Sequence, residues 1–177
     1  MAIDKTPLTP ENLNLSAPNK WKLAIRIFPN TEFFCTEVNL PGVRIPPIEV
    51  HDPNNRLSVA GKKLLYDEFT VRFRISEDYE NWREIYTWMN GIAAPQSYSQ
   101  FKTLVENNDS LSALKYRIYT DATLISLTNV GNKNKEIVFR DLWPVSLSGI
   151  RLDVGSNTDV WNEAEVSFQY LNFDFVT

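Results

Sequence analysis

From residue 68 to 76 apolar and polar side chains alternate without a break. Phe69, Val71, Phe73 and Ile75 fall on one side and Glu68, Thr70, Arg72, Arg74 and Ser76 on the other. That is the period of a strand with one buried face. The period then turns helical, with Tyr79, Trp82, Ile85, Tyr86 and Met89 in one stripe. Ser76 or Asp78 stands where a side-chain oxygen caps free amides. Glu77, Asp78 and Glu80 match the positive end of the helix dipole. Asn90-Gly91 predicts the stop, since glycine enters the left-handed conformation without a Cβ clash.

The same alternation predicts strands over residues 21–28 and 33–39, the first ended by Pro29-Asn30. Residues 116–128 and 136–142 flank an Asn-Val-Gly-Asn turn and read as an antiparallel hairpin, which Trp143-Pro144 ends. A further strand follows over 146–154, and 164–176 closes the chain as the longest strand. There Val166, Phe168 and Tyr170 oppose Glu165, Ser167 and Gln169, after which Leu171, Phe173 and Phe175 change the parity. Such a change predicts a bulge, or a strand leaving the core for an intersubunit contact.

Two stretches are polar and carry turn residues. Residues 43–65 hold Pro46-Pro47, Asp52-Pro53-Asn54-Asn55 and Gly61, and predict a long protruding hairpin or loop. In a compact domain such a feature generally serves binding or assembly. Residues 93–113 form a second, polar excursion. Residues 1–20, with Pro7, Pro10 and Pro18 among polar neighbours, read as an arm with too little apolar surface to order alone. The remainder, 21–177, reads as one domain, because 177 residues at 43% hydrophobic support one well-buried core.

Composition narrows the function. A net charge of −4 gives no basic footprint for gripping nucleic acid. Cys35 is the single cysteine, which excludes an internal disulfide and a Cys-rich zinc cluster and fits a reducing compartment. No apolar run approaches the ~20 residues of a membrane helix, and the N-terminus lacks the order of a signal peptide. The aromatic residues fall within the periodic segments, where core packing is their expected role.

Catalytic signals are weak. His51 neighbours Asp52, yet nothing nearby supplies a nucleophile motif. Asp67 and Glu68 are adjacent on a strand and point to opposite faces, a poor carboxylate dyad. Segment 153–159 has oxygen ligands but lacks EF-hand spacing and the terminal Glu, so it reads as a turn. Glycine-rich phosphate loops, a GxSxG elbow and an HExxH helix are all missing. We expect no enzyme, catalytic residue, cofactor or metal.

Several short motifs in shared order carry a resemblance. They are the V-A-G turn at 59–61, the D-E-F-T-V opening at 67–71, the acidic helix start, and the L-W-P element at Leu142, Trp143 and Pro144. With the opening F-F-C-T-E-V-N-L-P-G-V at 33–43 they span most of residues 21–176. In these the chain resembles the tail tube proteins of contractile-tailed bacteriophages and their baseplate-proximal relatives. The resemblance implies a mainly β (α+β) fold: an antiparallel β-sandwich or partial barrel with one flanking amphipathic helix and a long protruding loop. It further implies homohexameric rings whose sheets merge into an inner barrel and which stack into a tube. The implied partners are a sheath outside, a tape-measure protein inside and a baseplate at one end. The resemblance also implies that DNA is only in transit, that the location is the virion tail after assembly in the host cytoplasm, and that no membrane is entered.

On that footing the expected ring or subunit contacts are Ile48, His51, Asn54, Arg56, Val59, Gly61 and Lys62. The expected lumen-facing residues are Glu68, Thr70, Arg72, Arg74, Glu165, Ser167 and Gln169. Six copies at −4 give a ring of roughly −24, a field that keeps DNA from adhering. Arg72 and Arg74 oppose this unless a neighbouring carboxylate neutralises them. Two other readings stand beside it. One is a tube initiator, terminator or baseplate ring of the same fold, and the other a carbohydrate-binding or hydrolytic β-domain using Trp161 and Tyr98.

Overall fold

Strand β7 (Phe69–Arg74) carries out the alternation: Phe69, Val71 and Phe73 are fully buried while Arg72 and Arg74 are exposed. It lies between β10 (Glu163–Gln169) and β2 (Cys35–Asn39), antiparallel to both. The structure, a computed structural model, describes residues 14–25, 27, 29–52, 55–100, 102, 119–153 and 161–176.

The main sheet has seven strands in the order β1 (Trp21–Ile25), β8 (Thr120–Leu127), β9 (Lys133–Leu147), β10, β7, β2, with β11 (Asn172–Val176) also paired to β9. Every pairing is antiparallel. The first half of β9 pairs with β8 and β11, and its second half with β10. The sheet therefore folds over itself about β9. One layer supplies Leu23, Ile25, Leu124 and Phe139 and the other Phe69, Val71, Phe73, Val166 and Phe168 to a single core. The rings of Phe69 and Phe139 meet across it, centroids 4.3 Å apart.

The fold line is a β-bulge. Thr120 pairs with Leu142 but Ala122 with Phe139, so Arg140 and Asp141 together face Asp121. Asp141 adopts a left-handed φ of 53°, which Asp tolerates better than most residues, and its N–H donates to Asp121 Oδ1 at 3.1 Å. The expected break at Trp143-Pro144 does not occur. β9 runs through it, and Pro144 sits at a second register shift, opposite Phe168, where a missing N–H is tolerated. No strand continues to residue 153, and Val154 lies outside the described residues.

The segment expected as one long final strand is divided at Tyr170-Leu171, level with the β9 bulge. Inward parity passes there from Ala164, Val166, Phe168 and Tyr170 to Phe173, which packs on Tyr66, Phe139 and Tyr170. β9, at 15 residues, is the longest strand instead.

Helix α2 (Glu80–Ala93) is present but rotated from the expected stripe. Asn81, Ile85, Trp88 and Gly91 are buried, whereas Tyr79 and Tyr86 are exposed. Trp82 stacks on Tyr86 and donates its Nε1–H to Ser148 O at 3.1 Å, so the outer aromatics cover a seam near the end of β9. Asn90-Gly91 does not stop the helix. Gly91 lies on the buried face, and Ala94, at φ 41°, closes the helix by donating its N–H to Asn90 O at 2.8 Å.

At the other end Tyr79 is the cap and gives no side-chain bond, while Asp78 Oδ1 accepts the Glu80 N–H at 3.3 Å. The Ser76 hydroxyl and this N–H hold the Asp78 carboxyl below its ordinary pKa of 3.8. Buried Asn81 ties the helix to the sheet. Its Oδ1 accepts the Ser76 N–H (3.3 Å) and the Trp82 N–H (2.9 Å), and its Nδ2 donates to Arg74 O (2.7 Å).

A short helix, α1 (Pro29–Phe33), replaces the start of the strand expected over 33–39, and β1 ends at Ile25 instead of 28. Proline, with no N–H to leave unsatisfied, suits a first helical position. Residues 43–66 hold two small ladders: β3 (Val43–Arg44) with β6 (Leu65–Tyr66), and beyond them the hairpin β4 (Ile48–Asp52) with β5 (Asn55–Val59). Parts of three expectations lie outside the described residues: the arm over 1–13, the excursion over 103–113, and the start of the 116–128 strand.

Candidate assembly surfaces

The β4–β5 hairpin has two unlike faces. Ile48 pairs with Val59 and Val50 with Leu57, so four aliphatic side chains share one face, each 46–53% exposed. Glu49 with Ser58, and His51 with Arg56, occupy the alternate register positions. The expected contact residues therefore divide: Ile48 and Val59 belong to the apolar strip, and His51 and Arg56 to the other register. Asn54 lies outside the described residues. Gly61 sits at the base, where an added Cβ would lie 2.1 Å from Pro46 O. Only glycine allows so close a backbone approach. Lys62 follows it, exposed. The Asp67 N–H donates to Gly42 O at 3.0 Å, joining the foot of the hairpin to the start of β7.

The expected lumen residues do fall on one face, the outward side of β2, β7 and β10. Register sets Glu165 and Glu37 beside Arg72, Ser167 and Asn39 beside Thr70, and Glu163 beside Arg74. Arg72 bridges three strands, with its guanidinium 2.8 Å from Glu37 Oε2 and 3.0 Å from Glu165 Oε2. The hydrogen bond to Glu165, then the charge of Glu37, raise its pKa further. Arg74 lies 3.9 Å from Glu163, and Gln169 Nε2 donates to Glu68 at 3.5 Å.

The two cations thus meet three carboxylates, Glu37, Glu163 and Glu165, and Glu68 beside Gln169 adds a fourth acid against the two cations. Glu37 and Glu163 were absent from the expected set. Alternation within Cys35–Asn39 was the available signal for Glu37, but it does not tell which strand lies beside Arg72.

Among the described strands, β1, β2 and β11 each pair on one side only. Between β1 and β2 opens a cleft of about 700 Å³ lined by Trp21, Leu23, Glu32, Phe33, Cys35 and Thr36. Burial there pushes the Cys35 thiol up to about 12, against a smaller opposing effect of its bond to Glu37 O. A second cleft, about 360 Å³, opens at the mouth between the layers. Leu124 and Ile137 line it with Val38, Leu40 and Phe175, and Lys20 and Lys135 also border it. Phe175 is 62% and Leu40 45% exposed, so core-facing apolar surface reaches solvent here.

Other expected chemistry disperses. Tyr98 and Trp161 are exposed and line neither cleft. Asp67 lies 3.9 Å from Arg44 while Glu68 meets Gln169, so the two acids have separate partners. Of the 153–159 segment, Asp153 is described, 3.5 Å from Arg151. Among the described residues no group of three metal-ligating side chains gathers, and no helix is long and apolar enough to cross a membrane.

The profile of the phage tail tube protein family matches residues 12–176. A comparison with curated protein sequences found no match. Among solved structures, the tube-terminating cap of the anti-feeding prophage is similar over 99% of both chains, at TM-score 0.63 and 12% identity. The sheath/tube terminator of an extracellular contractile injection system (PVC) matches 94% of this chain and 100% of its own, at 0.58 and 13%. The sheath-tube complex of that system in the extended state gives 89% and 88% coverage, at 0.54 and 13%. At such identities these likenesses show the fold.

Proposed function

From the premise that the chain belongs to the phage tail tube protein family, we propose that this structural protein forms homohexameric rings that stack into the inner tube of a contractile tail. The observation that carries the reading is the pair of one-sided strands β1 and β2 closing a sheet whose outward face is polar. An open edge presents unpaired amides and carbonyls, and pairing each edge with a neighbour's removes them. Ring closure through these edges turns the Arg72 face into a lumen wall. Its excess of carboxylates repels a phosphate backbone, so DNA slides through during ejection without adhering.

In this reading the hairpin, including Ile48, His51, Asn54, Arg56, Val59, Gly61 and Lys62, contacts the adjacent ring or subunit. Residues 1–20 form an arm attached to a single domain over 21–177. Sheath surrounds the tube, tape-measure protein occupies it during assembly in the host cytoplasm, and a baseplate receives one end.

Negative-stain microscopy and particle mass test the proposal. Purified protein is expected to give six-membered rings or tubes, and deletion of residues 48–59 to leave rings that do not stack. Rings of one layer that elongate only with a partner protein assign the chain to a tube end. A strictly monomeric protein across concentration and salt overturns the reading.

A further inference from the structure

Beside the bulge that folds the sheet lies a third cleft, of about 360 Å³, lined by Tyr119, Trp143 and Leu171 together with Asp141 and Gln169. Trp143 is 36% and Leu171 66% exposed, so its apolar wall stands open to solvent. Its polar equipment consists of acceptors. The bulge turns Asp141 to a φ of 53° and commits its N–H to Asp121 Oδ1, while its own carboxylate is left at the cleft. Gln169 turns its Nε2 to Glu68, which leaves its carbonyl oxygen as the acceptor. We propose that this cleft takes the guanidinium of an arginine carried by a basic segment of another protein.

The chemistry of the lining selects that occupant. An aromatic face attracts a cation through its quadrupole, and tryptophan does so best. A guanidinium also stacks flat on a ring while its in-plane N–H groups reach a carboxylate, whereas an ammonium is a compact point charge. Charge complementarity points the same way. None of the described lining residues is Lys or Arg, and Arg140, next to Asp141 in the chain, lies 3.5 Å from Asp174. Asp121 and Glu68 add further acid beside the cleft. A second copy is a poor source of the arginine, because two chains of net charge −4 repel, whereas a basic segment is drawn in. The cleft is built by one chain, so the inference does not rest on the tube reading.

Fluorescence anisotropy of a labelled peptide tests this on the full-length protein in whatever assembly state it adopts. The probe is a glycine-spaced peptide with four arginines, compared with the same peptide carrying lysine or citrulline, the last keeping the shape and losing the charge. Saturable binding of the arginine peptide is expected, with binding of the citrulline peptide weaker by about tenfold or more and the lysine peptide in between. Asp141→Asn, which keeps a residue tolerant of the left-handed conformation, and Trp143→Leu are each expected to weaken the arginine peptide about tenfold with unchanged far-UV circular dichroism. Glu49→Gln, on the exposed hairpin, is expected to leave it unchanged. Equal binding of arginine and citrulline peptides overturns the inference in favour of neutral ligands on the aromatic wall. An equal loss in Glu49→Gln overturns it in favour of general attraction to an acidic protein. Parent-like binding by both cleft variants, or no binding by the parent, also overturns it. Release of single chains from an assembly by the arginine peptide, followed by particle mass, assigns the cleft to a second copy instead. The peptide comparison uses the parent protein alone, so it decides even where a variant fails to fold. Ring formation is measured separately, so this inference and the tube reading fail independently.

Discussion

Arg72 is the residue whose meaning the fold changes most. Alone in the sequence it is a cation on the polar side of a strand; in the sheet it is clasped by Glu37 and Glu165 from two neighbouring strands. Exposed pairs contribute little stability. We therefore expect Arg72→Leu to leave the urea unfolding midpoint nearly unchanged while making the outward face of β2, β7 and β10 more acidic. Asn81 is the contrast: fully buried, it satisfies Ser76, Trp82 and Arg74 backbone groups together. Asn81→Leu strands them, and a loss of about 3 kcal/mol is expected in urea titration, from the cost of unsatisfied buried polar groups.

Two acids, half-buried Cys35 and buried Tyr170, set an alkaline limit. Burial pushes the Cys35 thiol from an ordinary 9.0 to about 12, and burial with nearby Tyr66 and Asp67 pushes the Tyr170 hydroxyl from 10.0 to about 12. Both are neutral when protonated and resist ionising in the folded state. Their contribution is full below pH 9 and is lost as pH rises towards 12. Urea midpoints measured from pH 8 to 11 are expected to fall, with Cys35→Ala removing the part that begins near 9 and Tyr170→Phe the part that begins near 10.

At the level of elements, period alone located β7 and α2, but not the helix face that is buried. Tyr79 and Tyr86 satisfied the helical spacing as well as Asn81 and Trp88 do. A polar Asn on the core side is legible only once the Arg74 carbonyl is seen beside it. Pro144 misled for a related reason: proline excludes an ordinary ladder position, yet a register shift is where a strand tolerates its missing N–H. The hairpin was legible from its turn residues, and its two faces follow from register. Gly61→Ala is expected to force Pro46 and the hairpin base apart, since the new Cβ meets backbone. Faster proteolytic cleavage within 48–59, with an unchanged unfolding midpoint of the core, is the measured outcome.

For the whole molecule, the folded sheet leaves apolar surface and strand edges in water that the proposed assembly covers. Association that binds the folded state alone stabilises it by mass action. The thermal midpoint is therefore expected to rise with protein concentration, and deletion of the hairpin to reduce that dependence. Because the Ile48, Val50, Leu57 and Val59 strip is apolar, the proposed stacking through the hairpin is expected to persist at 1 M salt, where the screening length of about 3 Å suppresses surface charge attraction. Collapse of particles at that salt, seen by light scattering, argues for an electrostatic contact instead.

Local order determined the existence of most strands, the helix, the projecting hairpin and a polar face on β7 and β10, because alternation, caps and turn chemistry act between residues close in the chain. The shared order of short motifs also carried the family. Only the tertiary structure decided that Glu37 stands beside Arg72, that β9 bends at Asp141 and joins both layers, and that an apolar cleft opens beside the free edges. Each of these depends on strands distant in sequence meeting in one register, which the sum of local preferences does not specify.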